Sequence, residues 1–151
     1  MNLDRSVFLE VVRHTPLISI DLVIRDDAGR VLIGLRNNEP ARDTWFVPGG
    51  RILKDETLDA AFLRISSAEL GRETGRDEAR FLGVYEHLYD ANFAGEPDVT
   101  THYVVLAHEL RHGGGTGSLP PLQHRGYRWM TPDELLADRT VHENTRAYFV
   151  G

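Results

Sequence analysis

The chain has 151 residues and a net charge of −6 with histidines neutral. That length can bury a full core unaided, and the acidic balance disfavours nucleic acid or an anionic membrane as a partner. Cysteine is absent, which excludes disulfides, thiolate zinc sites, iron–sulfur clusters and cysteine nucleophiles, so any metal must sit on oxygen or nitrogen ligands. No apolar run approaches the ~18 residues of a membrane span and no targeting segment is visible, so a cytoplasmic protein is expected. Lys54 is the only lysine among the 17 basic residues; genome base composition and a demand for bidentate phosphate contacts explain the arginine skew equally well.

In chain order, Asp4 can cap a short helix carrying Val7, Phe8, Val11 and Val12, which must stop before Pro16. Leu17 to Arg25 alternates with a period of two and predicts a strand with one apolar face; Asp26 to Gly29 then turns the chain into a second strand, Arg30 to Arg36, as a hairpin. A polar loop leads to a short strand at Trp45 to Val47, ended by Pro48-Gly49-Gly50. The best helix runs from about Thr57 to Leu70, capped by Asp55 or Thr57 and stopped at Gly71. Phe81 to Leu88 and Thr100 to Leu110 read as strands, and 112–118 as a flexible Gly-rich loop. Gly126 to Met130 is expected to be a last strand, Thr131-Pro132-Asp133-Glu134 a helix start, and Asn144 to Val150 a final helix. No repeat or linker breaks the pattern, so residues 1–151 are expected to form one mixed α/β domain.

The central helix contains a conflict. Leu58, Ala61, Phe62 and Ile65 form one apolar stripe at helical spacing, and Glu69 falls on it. A buried carboxylate without a partner costs several kcal/mol, at the level of ~3 or more. Glu69 should therefore snorkel out of the last turn or meet a cation.

The flanking residues decide what that conflict suggests. Gly50, Glu56, Arg64, Glu69 and Gly71 stand at intervals of five, seven, four and one intervening residues. The pattern resembles the Nudix box, which implies an α/β/α sandwich with a mixed sheet between helices, and a strand, loop and helix that hold Mg²⁺, or Mn²⁺, against a nucleoside diphosphate linked to another group. Ile65 and Ala68 stand where the general family has glutamates. Either the domain is a degenerate, inactive one, or the chemistry has moved.

Longer runs match the second reading. Ser19-Ile20-Asp21, Leu35-Arg36, the segment Trp45 to Arg51, Glu69-Leu70-Gly71, Thr100 to Val105, Gln123-His124, Tyr127 to Trp129 and Asn144 to Phe149 are similar to the GDP-mannose mannosyl hydrolase branch of the Nudix family. That branch lacks the same glutamates. The resemblance implies release of GDP and free sugar by water attack at the sugar C1, and a homodimer. It also implies metal ligation by Glu69, the Gly49 carbonyl and Gln123, with His124 as general base and Arg36, Arg51 and Arg64 around the diphosphate. Asp21 is either a solvent-facing edge charge or a contact to sugar or guanine. For Arg64 an ion pair with Glu56 competes with the diphosphate role or coexists with it, His87 is as well explained by a hydrogen-bonded core as by a ligand contact, and Tyr103 is packing or a leaving-group donor.

Overall fold

The computed structural model describes residues 3–112 and 124–150, the first two of the latter through their backbone. The Gly-rich stretch 113–118 and Gln123 lie outside the described residues. Helix α1 (Arg5–His14) is followed by strands β1 (Leu17–Arg25), β2 (Val31–Arg36), β3 (Trp45–Phe46) and β4 (Gly49–Arg51), then helix α2 (Leu58–Leu70). Strands β5 (Arg80–Tyr89), β6 (Thr101–Arg111) and β7 (His124–Met130) come next, before helices α3 (Pro132–Ala137) and α4 (Glu143–Arg146) and a 3₁₀ turn over Ala147–Phe149. The seven strands form one mixed sheet in the order β3-β2-β1-β6-β5, with β4 paired to β1 and β7 to β2. β1 and β6 run parallel over their whole length, and the other pairings are antiparallel.

Two cores lie on opposite faces of this sheet. Ile20, Leu22 and Ile24 of β1 pack with Ala61, Phe62 and Ile65 of α2. Val23, Val31, Ile33 and Trp45 pack on the other face with Leu135 and Val141. Helices on both faces make an α/β/α sandwich, and they explain why β1 departs from the single apolar face its alternation predicts: Leu22, Val23 and Ile24 are all fully buried. Covering both faces of a central strand removes the reason for polar alternation.

The hairpin closes only at its base, where Arg25 stands opposite Val31. Beyond it the strands part. β4 takes the edge of β1, pairing Ser19, Ile20 and Asp21 with Arg51, Gly50 and Gly49, while β7 takes the edge of β2. This fork is the structural origin of the cleft described below. Sequence alternation did not predict β4, and the short strand before it ends at Phe46.

Local signals hold at the helix ends. The Thr57 hydroxyl accepts the Ala60 N–H at 3.1 Å, and Gly71 closes α2 in the left-handed region at φ 78°. Thr131 and Glu134 form a reciprocal capping box on α3. Asp4 differs: it occupies the cap position of α1, yet its carboxylate makes no capping hydrogen bond. The α2 stripe is also shifted, because Leu58 is exposed whereas Ser66 and Glu69 are buried. In β5 a register shift between Phe81 and Gly83 turns Phe81 to the face opposite Tyr85 and His87, against the strict alternation read along that strand.

Helix α1 packs on its own chain. Phe8 and Val11 join Val12, Leu17, Val99 and Tyr103 in a third cluster, and of Val7, Phe8, Val11 and Val12 only Val7 is left exposed.

Candidate active site

The cleft in the fork is built from β1 to β6, the loop after β2 and the end of α2. Asp21, Arg36, Gly49, Arg51, Glu69, His87 and Tyr103 all line it, together with Ser19, Asn37, Asn38 and Phe46. The seven residues named first are drawn from six separate elements, and only the topology brings them together.

Glu69 is 5% exposed and takes the Gly49 N–H on Oε1 at 3.3 Å. The snorkelling alternative is thereby excluded. Gly49 is enclosed from the other side as well: a Cβ there would come within 2.5 Å of Asp21 Oδ1 and 2.6 Å of the Ile20 carbonyl, so glycine alone lets the two carboxylates flank one backbone unit. This donor set of carboxylate and backbone oxygens suits a hard divalent ion, which is commonly held by one or two carboxylates with substrate phosphates completing its shell. Among the described residues no cluster of three His, Asp or Glu side chains forms a complete metal cage. A metal shared with a diphosphate fits that count.

The box positions that lack glutamate are occupied differently. Ile65 is buried in the α2 core and packs within 3.1 Å of where a Cβ on Gly50 would be, and Ala68 faces solvent. A carboxylate at 65 would replace core contacts, so the loss is built into the packing of α2.

The arginines divide. Arg36 donates from Nε to the Pro40 carbonyl at 3.0 Å and lies over the Phe46 ring at 5.5 Å. Arg51 stacks on Phe8 of α1 at 4.5 Å. Both border the cleft. Arg64 is not among its lining residues: its guanidinium grips Glu56 through Nε and Nη2 at 2.7 and 2.9 Å and donates to the Arg51 carbonyl at 2.7 Å. That bidentate pair holds the Glu56 carboxyl down at about 2. In this geometry Arg64 supports the loop that carries Arg51.

Asp21 is buried, and its Oδ2 accepts the Tyr148 hydroxyl at 2.5 Å. Burial pushes its carboxyl up to about 7, against the Tyr148 hydrogen bond and the Arg36 charge, with nearby Glu69 adding to the rise. The solvent-facing alternative for Asp21 is therefore excluded. Because the folded chain favours protonated Asp21, its burial cost is absent below the ordinary value near 3.8, grows as pH rises and is complete above about 7. In metal-free protein, Asp21→Asn should leave Tm unchanged near pH 4 and raise it at pH 8, where the unfolding free energy gains on the order of a few kcal/mol. Parallel melting curves at the two pH values would contradict this assignment.

His87 is pushed down to about 4 by burial and by His142, so it is neutral at pH 7. Tyr103 is raised by burial, opposed by Arg36 and Arg51, and remains a hydrogen-bond donor. His124 pairs through its backbone with Arg36 at the start of β7, which places that position at the cleft border. The sequence reading gave no role to Tyr148, Phe46 or His142, whose ring stacks on Phe46 at 4.7 Å; the Asn144 to Phe149 run was the available signal for Tyr148.

A domain with this sheet, a glycine-flanked carboxylate and an arginine-bordered cleft defines the class. The NUDIX domain family model matches residues 15–150, and the chain belongs to that family. Nudix hydrolases act on nucleotide derivatives and generally use divalent metal ions. Low-salt glycan biosynthesis protein Agl8 of Haloferax volcanii is 47% identical over 100 residues, covering 66% of this chain and 62% of that protein's length. The MutT NUDIX hydrolase from Burkholderia pseudomallei superposes with a TM-score of 0.70 at 25% identity, covering 90% of this chain and 97% of that one. The NUDIX domain of Shewanella oneidensis NrtR, complexed with ADP ribose, matches at a TM-score of 0.59 and 17% identity over 97% of this chain and 90% of that one. No helix among the described residues is long and apolar enough to cross a membrane.

Proposed function

We propose that this chain hydrolyses a GDP-linked sugar, GDP-mannose first and GDP-glucose as the close variant, to GDP and free sugar by water attack at C1 with inversion. The observation that carries the reading is the packing of Ile65: with that position filled by core and Ala68 outside the cleft, Glu69 is the only carboxylate at the three glutamate positions at the end of the box helix, and the remaining box glutamate, Glu56, is paired to Arg64. Glu69 cannot both bind metal and aim water at phosphorus. Attack from the sugar side needs no further box carboxylate.

Glu69, the Gly49 carbonyl and Gln123 would hold Mg²⁺ or Mn²⁺, which when bound supplies positive charge to the departing diphosphate. Arg36 and Arg51 border the same cleft and add to that charge where it develops. GDP so stabilised is a good leaving group, and one base suffices; His124 takes the proton from water, with Tyr103 available to donate to the leaving oxygen. The glycan-biosynthesis name of the Haloferax relative supports a sugar-bearing substrate.

Incubation with GDP-mannose and Mg²⁺ followed by separation of the nucleotides tests this. GDP is expected. GMP would indicate ordinary cleavage between the phosphates, and an unchanged substrate that nevertheless binds would indicate a noncatalytic nucleotide-sugar sensor.

A further inference from the structure

The C-terminal turn reaches back to two residues of the cleft wall, Asp21 and His87. Tyr148, in the 3₁₀ turn after α4, is sandwiched by Tyr85 at 4.7 Å with near-perpendicular rings, and its hydroxyl bridges Asp21 Oδ2 at 2.5 Å and His87 Nε2 at 3.3 Å. The turn that carries it is anchored on β3: the His142 N–H donates to the Trp45 carbonyl at 3.0 Å, and the buried Thr145 hydroxyl accepts the Val47 N–H at 3.3 Å. A tyrosine hydroxyl has one proton to give. With Asp21 ionised, as above about pH 7, that proton is spent on the carboxylate and leaves only a lone pair for His87, so His87 must present Nε2–H. The hydrogen bonds then run in one direction, from His87 to Tyr148 to Asp21.

We propose that Tyr148 is a positioning residue for the hydrolysis: it clamps Asp21 Oδ2 from behind, so that Oδ1, lying against Gly49, is the oxygen the carboxylate offers to a hydroxyl of the bound sugar. This rests on the nucleotide-sugar reading above. Tyr148 does not line the cleft. It acts through Asp21, a residue 127 positions away in the chain. The ring alone would satisfy packing; the hydroxyl is the part with a directional role.

Two measurements decide it. ¹⁵N spectra of the histidines, taken without substrate, should show His87 as the Nε2–H tautomer in the wild type and a changed Nε2 environment in Tyr148→Phe. In GDP-mannose hydrolysis, Tyr148→Phe should lower kcat/KM by about 10- to 100-fold, the range for losing a hydrogen bond to a charged group. That loss should vanish when Asp21→Ala is already present, because the residue it acts through is gone. An Nδ1–H tautomer for His87 overturns the hydrogen-bond chain. An equal loss from Tyr148→Phe in both backgrounds overturns action through Asp21 and leaves Tyr148 a packing residue. If wild-type protein leaves GDP-mannose intact, the reaction itself fails, whereas the spectra still report on the hydrogen-bond chain.

Discussion

Glu69→Gln is expected to remove nearly all hydrolytic activity, by ~10² or more, while leaving the chain folded. The size follows from charge. Glu69 is the one box carboxylate that lines the cleft, Glu56 being paired to Arg64, and the amide that replaces it has nearly the same shape but no net charge to offer a divalent ion. The fold should survive because the amide oxygen can still accept the Gly49 N–H, and because the apolar contacts of α2 are made by Phe62, Ile65 and Leu70. Circular dichroism melting beside the assay separates the two effects. A folded variant that turns over at the wild-type rate with saturating Mg²⁺ would remove Glu69 from the metal.

The second large effect is expected at His124. Its backbone pairs with Arg36 across β2 and β7, so the start of β7 delivers this position to the border of the cleft. On the proposed mechanism its imidazole takes the proton from the attacking water. His124→Gln should lower kcat by about 10² to 10⁴ with little change in KM, and the acidic limb of the rate profile should disappear, since below its pKa the wild-type imidazole is already protonated and cannot act. His87, held neutral by burial down to about 4, would place such a limb far lower. A variant retaining both rate and limb would put the base elsewhere.

How much of this was legible depended on whether the signal was local. The caps of α2 and α3 were readable because Thr57, Gly71 and the Thr131 to Glu134 box act within one turn of their own chain. β4 was not. Three residues containing two glycines have no side-chain periodicity, and their strand character comes from β1, some 30 positions earlier in the chain. The burial of Glu69 was visible as a conflict in the α2 stripe, yet the Gly49 amide that resolves it belongs to that same unforeseen strand. For Arg64 the ion pair with Glu56 weighed beside its diphosphate role is formed. Tyr148 was out of reach for a different reason. Nothing in a terminal Ala-Tyr-Phe run announces a hydrogen bond to the first strand, and only the docking of the C-terminal turn on Trp45 and Val47 creates it.

The central claim is that water attacks carbon, and hydrolysis of α-linked GDP-mannose in ¹⁸O-labelled water tests it most directly. With Ile65 in the core, Ala68 at the surface and Glu56 paired to Arg64, Glu69 is the one box carboxylate left at the cleft, and on the proposed mechanism it would bind metal while Arg36 and Arg51 would hold the diphosphate as the departing group. The label should therefore appear on the released sugar and GDP should stay unlabelled, with the β-anomer formed first. Label in the nucleotide, or retention at C1, would contradict the account.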